Sequence, residues 1–260
     1  MLNHEDQKHL TDHGFCIVRN ALSASELKLA RDALDQAAAE QRANGRQGHD
    51  SRLDPNEANI RIYNLPAIAP VFIDLLQRED ALGAAKMVLG PDVLVSNFSA
   101  NIALPGSGSM KLHSDQALVV PPPWPHPWAA NIIWCLDDVH EANGATRYLP
   151  GSHRFQSLEE LPSDALAKTV PFEAPAGSFI VMEGRLWHTS GCNTTANEQR
   201  RMLFAYYSSD FIRTQMNWAF TLPDVVQSGM DDATRALFGL GFMGNTRIGA
   251  QMTAMNSTAK

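Results

Sequence analysis

Ala129-Ala130-Asn131-Ile132-Ile133-Trp134-Cys135-Leu136 is short, almost wholly apolar and rich in β-branched and aromatic side chains. A run of this length and kind predicts a strand covered on both faces. Similar runs lie on either side of it. Val93 to Leu104 ends at Pro105-Gly106-Ser107-Gly108, and Ala145 to Leu149, Ser178 to Met182 and Met202 to Tyr207 follow, with Pro, Gly and Asn between them. Many short strands divided by turn residues predict a mainly β sandwich or barrel. Ahead of them the texture is helical. Gly14 to Arg19 is one short β-prone run. Ser23 and Glu26 then form an S-x-x-E capping box, Leu27, Ala30, Leu34 and Ala38 follow at helical spacing, and Asn44-Gly45 ends that helix. A second helical stretch is expected from Pro70 to Leu89, closed by Gly90-Pro91, and a third from Asp231 to Phe238. The fold class is therefore mainly β with flanking helices.

With 260 residues the chain can bury one sizeable core. Its formal charge of −7 and lack of a basic run argue against a nucleic-acid partner or an anionic membrane surface. No apolar run reaches the roughly 20 residues of a membrane span. Cys16, Cys135 and Cys192 are odd in number and form no C-x-x-C pair, which points away from disulfides and thiolate zinc and toward a reducing compartment. The first ten residues, MLNHEDQKHL, lack the apolar stretch of a secretory signal, so a cytoplasmic protein is expected.

The chemistry concentrates in Lys111-Leu112-His113-Ser114-Asp115-Gln116. In an extended strand alternate side chains share a face, so His113 and Asp115 are expected to point the same way. Alone, such a pair is more often hydrogen-bonded or solvated than metal-binding. His188, in Trp187-His188-Thr189-Ser190-Gly191, is a third candidate, although an isolated histidine beside a tryptophan usually belongs to the core. Two imidazoles and one carboxylate make the facial triad of non-haem Fe(II) oxygenases, which leaves the opposite positions of the metal open. Downstream, Arg200-Arg201 opens a β-prone run. Neighbours in a strand alternate, so one of the two faces inward, where a cation needs an anion. A guanidinium fork suits a carboxylate in two-point contact.

These motifs come in a recognisable order: His113-x-Asp115, Asn143-Gly144-Ala145-Thr146, Pro150-Gly151-Ser152-His153, His188-x-x-Gly191-x-Asn193-Thr194, then Arg200-Arg201. Over roughly residues 61–207 the chain resembles the phytanoyl-CoA dioxygenase family. The resemblance implies a double-stranded β-helix (jelly-roll, cupin-like) core and an oxygenase that uses Fe(II), 2-oxoglutarate and dioxygen. No internal repeat, low-complexity block or linker divides the chain, so one domain is expected over residues 1–260, with a helical preface to about 90, the jelly-roll core at about 91–210 and a C-terminal extension over 211–260. By position, the resemblance makes His113, Asp115 and His188 the iron ligands and Arg200, the first of its pair, the grip on the distal carboxylate of 2-oxoglutarate. Ser190, Asn131 and Thr146 fall where the family also contacts the cosubstrate. Two departures stand out: Met110 occupies a position where the family often has Gln, and the spacing from His188 to Arg200 is one residue longer than usual. Halogenating relatives lose the carboxylate, so Asp115 points to hydroxylation, desaturation or another radical oxidation.

The expected substrate is a small organic molecule, of the kind met in natural-product tailoring. No basic cluster suits the phosphates of a CoA thioester. Two other readings of the same residues are a cupin-type metalloenzyme that does not use 2-oxoglutarate and a jelly-roll binding protein without turnover. Tyr63, Trp124 and Trp128 are candidates for the cleft, Trp124 and Trp128 on a Pro-rich loop suited to a lid or dimer contact. Trp134 is expected in the core, and His153 and Asn193 in structural turns. The stretch from Phe238 to Met243 suits either the core or a homodimer contact.

Overall fold

The computed structural model describes residues 2–46 and 48–241. Helix α1 (His4–His13) starts at Asn3, whose side chain accepts from the Asp6 N–H, and ends at Gly14 with φ of 80°. Only glycine suits that position. The left-handed backbone disfavours other residues, and a Cβ there would lie 2.5 Å from that of His153. Strand β1 (Phe15–Val18) leads into helix α2 (Ala24–Ala43). Both halves of the expected capping box are present: Ser23 Oγ accepts from the Glu26 N–H, and Glu26 accepts from the Ser23 N–H. Replacing Ser23 by Ala is expected to lower stability by about 1 kcal/mol, read as a fall in the urea midpoint at constant slope.

Strand β2 (Asn59–Ile62) was not foreseen; it lies inside what reads as a helical preface. The helical stretch after it is two helices, α3 (Pro70–Gln77) and α4 (Glu79–Leu89). The break is at Arg78, whose backbone is extended at ψ of 129°. Its guanidinium donates to Glu26, Asp80 and the Ala21 carbonyl, which ties this corner to the start of α2. The remaining strands are β3 (Val93–Ala103), β4 (Ala129–Cys135), β5 (Thr146–Tyr148), β6 (Val170–Pro171), β7 (Phe179–Glu183), β8 (His188–Ser190) and β9 (Arg200–Ser209). Three short helices follow, α5 (Trp218–Thr221), α6 (Asp224–Ser228) and α7 (Asp232–Leu237). Asp231 caps the last, and Phe238 beyond it is buried edge-on against Trp218. The rest of the Phe238–Met243 stretch, from residue 242, lies outside the described residues.

The strands form an antiparallel six-stranded sheet, β1-β7-β4-β9-β3-β2, and a three-stranded one, β6-β5-β8. From β4 onward the chain passes between the two sheets, as a double-stranded β-helix does: β4, β7 and β9 lie in the large sheet, β5, β6 and β8 in the small one. The central strand β4 shows why its sequence is apolar throughout. Ile132 and Trp134 pack with Leu34, Phe72 and Phe98 in the cluster that includes α2 and α3, while Ile133 and Cys135 join Phe15, Phe172 and Met202 in a second cluster. No described helix is long and apolar enough to cross a membrane.

Candidate active site

The large and small sheets border a cavity of about 380 Å³, into which β3, β4, β5, β8 and β9 contribute side chains. Residues 111–116 form no regular strand, but Ser114 between the two candidates is extended, with φ of −117° and ψ of 134°, and His113 forms a single antiparallel bridge with His188 of β8. The His113 N–H donates to the His188 carbonyl at 2.9 Å and the His188 N–H to that of His113 at 2.8 Å. Asp115 instead opens a 3-10 turn, Asp115–Leu118. The turn is imposed by Ser114 Oγ and the Gln116 N–H, which both donate to the Gly184 carbonyl. His113 and Asp115 flank the extended Ser114, so alternation brings them to one side, and the turn begins only at Asp115.

Ligand atoms of His113, Asp115 and His188 lie within 4.8 Å of one another. His188 Nε2 is 3.8 Å from Asp115 Oδ1, and the two imidazole rings are 4.3 Å apart between centroids. Each ring is oriented by the same device. His113 Nδ1 faces the Lys111 carbonyl at 2.8 Å and His188 Nδ1 the Leu186 carbonyl at 2.9 Å. A carbonyl can only accept, so Nδ1 carries the proton in both rings and Nε2 keeps its lone pair. Burial, with His113 beside it, pushes the His188 imidazole down to about 4, so it stays neutral and able to ligate at neutral pH. Asn131 Nδ2 donates to Asp115 Oδ2 at 3.1 Å, and the Tyr206 hydroxyl donates to the Asp115 carbonyl at 3.3 Å. The carboxylate is thus anchored through one oxygen while the other faces His188. Replacing Asn131 by Ala is expected to weaken Fe(II) binding about 10–100-fold, measured by anaerobic equilibrium dialysis.

Arg200, the first residue of β9, lines the same cavity and is 1% exposed. Its Nε and Nη1 have no hydrogen-bond partner among the described residues. Burial pushes the guanidinium down to about 10, still cationic at neutral pH. Arg201 faces the other way. It makes a two-point contact with Asp137 at 2.9 and 2.7 Å and a further one with Asp35 at 2.6 Å. Of the arginine pair, only Arg200 reaches the cavity.

Ser190, Asn131 and Thr146 also line it, Thr146 standing opposite Ser190 in the β5–β8 register. Ser190 Oγ accepts from the Met110 N–H at 2.9 Å, which leaves its own proton to be donated. Tyr63 does not line the cavity: it stands beyond the end of β2, 41% exposed, with its hydroxyl on Asp50. Neither Trp124 nor Trp128 lines it. Trp124 is buried within its own loop, with Nε1 donating to the Val119 carbonyl at 2.8 Å. Trp134 is fully buried, His153 sits buried in a 3-10 turn, and Asn193 ties its loop to the Ala103 and Glu198 carbonyls. The sequence reading missed one wall, made by Asn97, Ser99 and Asn101 of β3 with Tyr206 of β9. It also missed Arg61, paired in two-point fashion with buried Asp54 at 2.6 and 2.8 Å and touching Met110 Sδ.

The sequence model of the phytanoyl-CoA dioxygenase family matches residues 10–202. The chain belongs to the phytanoyl-CoA dioxygenase family. Members of this family are Fe(II)- and 2-oxoglutarate-dependent oxygenases, and the chain is an oxidoreductase of that class acting with dioxygen on a small-molecule substrate. A family relative, dioxygenase af480 of Aspergillus fumigatus, is 46% identical over 244 residues, 94% of this chain and 79% of that protein. Two solved structures share the fold. HygX of Streptomyces hygroscopicus, with nickel and 2-oxoglutarate bound, superposes with a TM-score of 0.66 at 17% identity, covering 82% of this chain and 90% of HygX. AviO1 of Streptomyces viridochromogenes gives 0.66 at 24% identity, covering 81% and 97%.

Proposed function

We propose that His113, Asp115 and His188 hold the Fe(II), that Arg200 binds the distal carboxylate of 2-oxoglutarate, and that the remaining cavity takes a small organic metabolite for hydroxylation or a related radical oxidation. The observation that carries this reading is the buried guanidinium of Arg200, unpartnered at Nε and Nη1, in the cavity that also contains the three ligand residues. A buried cation without a counter-ion costs several kcal/mol. A dicarboxylic acid held at the metal through one end offers its other end as that counter-ion. With 2-oxoglutarate and dioxygen, Fe(II) supplies the oxidising chemistry, releasing succinate and carbon dioxide as the substrate is oxidised.

The protein's own groups then have separable tasks. The imidazoles of His113 and His188 and the carboxylate of Asp115 would hold the metal, a donor set suited to Fe(II) that also takes a cosubstrate. Asn131 and Tyr206 hold Asp115 in place. Ser190 and Thr146 stand on adjacent strands of the small sheet, where hydroxyls can donate to the cosubstrate carboxylates. Ala117, Leu118 and Phe204 line the space apolarly and help exclude water. Tailoring of a natural product fits this architecture, and HygX has also been solved with hygromycin B bound.

Anaerobic addition of Fe(II) and then 2-oxoglutarate tests the reading. A weak visible charge-transfer band is expected only when both are present, followed in air by succinate release coupled to substrate. Turnover without 2-oxoglutarate would point to a cupin-type metalloenzyme. Absence of both band and turnover would point to a binding protein.

A further inference from the structure

We infer that the cavity selects a neutral substrate, with an apolar skeleton bearing a hydroxyl or ketone that is read at its mouth by Asn97 and Gln215. The inference rests on the Fe(II) and 2-oxoglutarate reading above and deepens it to a substrate class.

The charges come first. Among the described residues, the ionisable side chains lining the cavity are Arg61, His113, Asp115, His188, Arg200 and Tyr206. Three of these belong to the metal and Arg200 to the cosubstrate. Arg61 is neutralised by its two-point contact with Asp54. Tyr206 offers a phenol hydroxyl, which donates to the Asp115 carbonyl. Nothing remains to pair with a charged substrate group, which would lose its water without compensation at a cost of several kcal/mol. The space left is bounded by Leu53, Leu118, Ala117 and Phe204, and the first two are 42% and 66% exposed. Exposed leucines at the edge of a cavity fit an apolar body entering it.

Against this apolar surface stands the polar wall. Asn97, Ser99 and Asn101 alternate along β3 and line the cavity. Register places them at different depths. Arg200 pairs with Ala103, so Asn101 lies toward the cosubstrate anchor; Asn97 pairs with Tyr206, two steps further out. Asn97 Nδ2 donates to Gln215 Oε1 at 3.1 Å. Asn97 Oδ1 is buried and has no partner among the described residues. Two amides joined by one hydrogen bond retain an acceptor on one and a donor on the other. A hydroxyl can use both, a ketone the donor. A pure hydrocarbon would leave the buried Oδ1 unsatisfied, and sites built on such groups discriminate against analogues that cannot hydrogen-bond.

The test uses matched series on one skeleton: α-pinene, myrtenol and myrtenic acid, and abietadiene, abietadienol and abietic acid. Each is titrated into the anaerobic Fe(II)–2-oxoglutarate protein, and the change in the visible band gives a dissociation constant. In at least one series the alcohol is expected to bind about tenfold more tightly than both hydrocarbon and acid. Asn97→Leu and Gln215→Leu are expected to remove that tenfold advantage, with the band before titration unchanged. Gln215 is exposed, so its variant preserves the fold. The inference is overturned if no alcohol perturbs the band, if an acid binds best, or if both variants keep the preference. Equilibrium dialysis of the same compounds on metal-free protein reads the mouth separately. A chain that forms no band yet still prefers the alcohol loses the iron-site reading and keeps this one.

Discussion

Asp115→Ala is expected to abolish 2-oxoglutarate-dependent turnover, by on the order of 1000-fold or more, while leaving the fold intact. On the proposed assignment, Asp115 brings the one carboxylate to a ligand set completed by the imidazoles of His113 and His188. Its loss removes both a bond and the charge that offsets Fe(II), a contribution of several kcal/mol at about 1.4 kcal/mol per tenfold. The variant also strands Asn131 Nδ2, which points at Asp115 Oδ2 in the native chain. Core packing is untouched, because Asp115 lies at the edge of the cavity with its side chain 16% exposed. Succinate production with excess Fe(II), together with iron retained after anaerobic dialysis, checks the expectation. A variant that keeps a tenth of native turnover would remove Asp115 from the metal set. Asp115→Glu tests geometry against charge. It keeps the carboxylate but moves it by one methylene, so partial iron retention with poor turnover is the expected result.

What the sequence made legible follows from where burial leaves a pattern. β4 was readable because both of its faces are covered, one by the helix-bearing cluster and the other by the cluster that holds Phe15 and Met202. The start of α2 was readable because a capping box is local chemistry within four residues. The order of His113, Asp115, His188 and Arg200 marked the cavity because each lies at or beside a strand end that opens into it. Other features had no local signature. β2 is four residues long at a sheet edge and includes Arg61, so its apolar content is slight. The break at Arg78 depends on partners far away at Glu26 and Ala21. The turn at Asp115 depends on the Gly184 carbonyl, some seventy residues on. The wall of Asn97, Ser99 and Asn101 was hidden for a different reason. Polar residues at alternate positions usually mean a face toward solvent, and here they face an internal cavity. Tyr63 was misplaced because nearness to Arg61 in sequence says nothing of direction once the strand ends at Ile62.

Arg200→Met is expected to stabilise the ligand-free chain and to destroy its affinity for 2-oxoglutarate. The guanidinium of Arg200 is buried, and two of its nitrogens lack partners among the described residues. Replacing buried ionic groups by apolar side chains of similar volume is often neutral or stabilising, by about 1–4 kcal/mol. Methionine fits the space with an unbranched, adaptable side chain. It lies beside Cys135 and Met202, which already form part of an apolar cluster on this side of the sheet. The unfolding midpoint in urea should therefore rise. The cosubstrate sees the reverse. A desolvated carboxylate that loses its charged partner costs about 2–5 kcal/mol, or roughly 30-fold to several thousand-fold in affinity. Added 2-oxoglutarate should raise the melting temperature of native protein in the presence of a redox-inert divalent metal and leave that of Arg200→Met nearly unchanged. Arg201→Met serves as the control. Its two-point bridge to Asp137 is lost and the chain is destabilised, yet 2-oxoglutarate affinity holds, because Arg201 faces away from the cavity. If Arg200→Met were less stable than native protein and bound 2-oxoglutarate equally well, the arginine would be a structural member of the sheet. A 2-oxoglutarate-dependent site would then need another anchor.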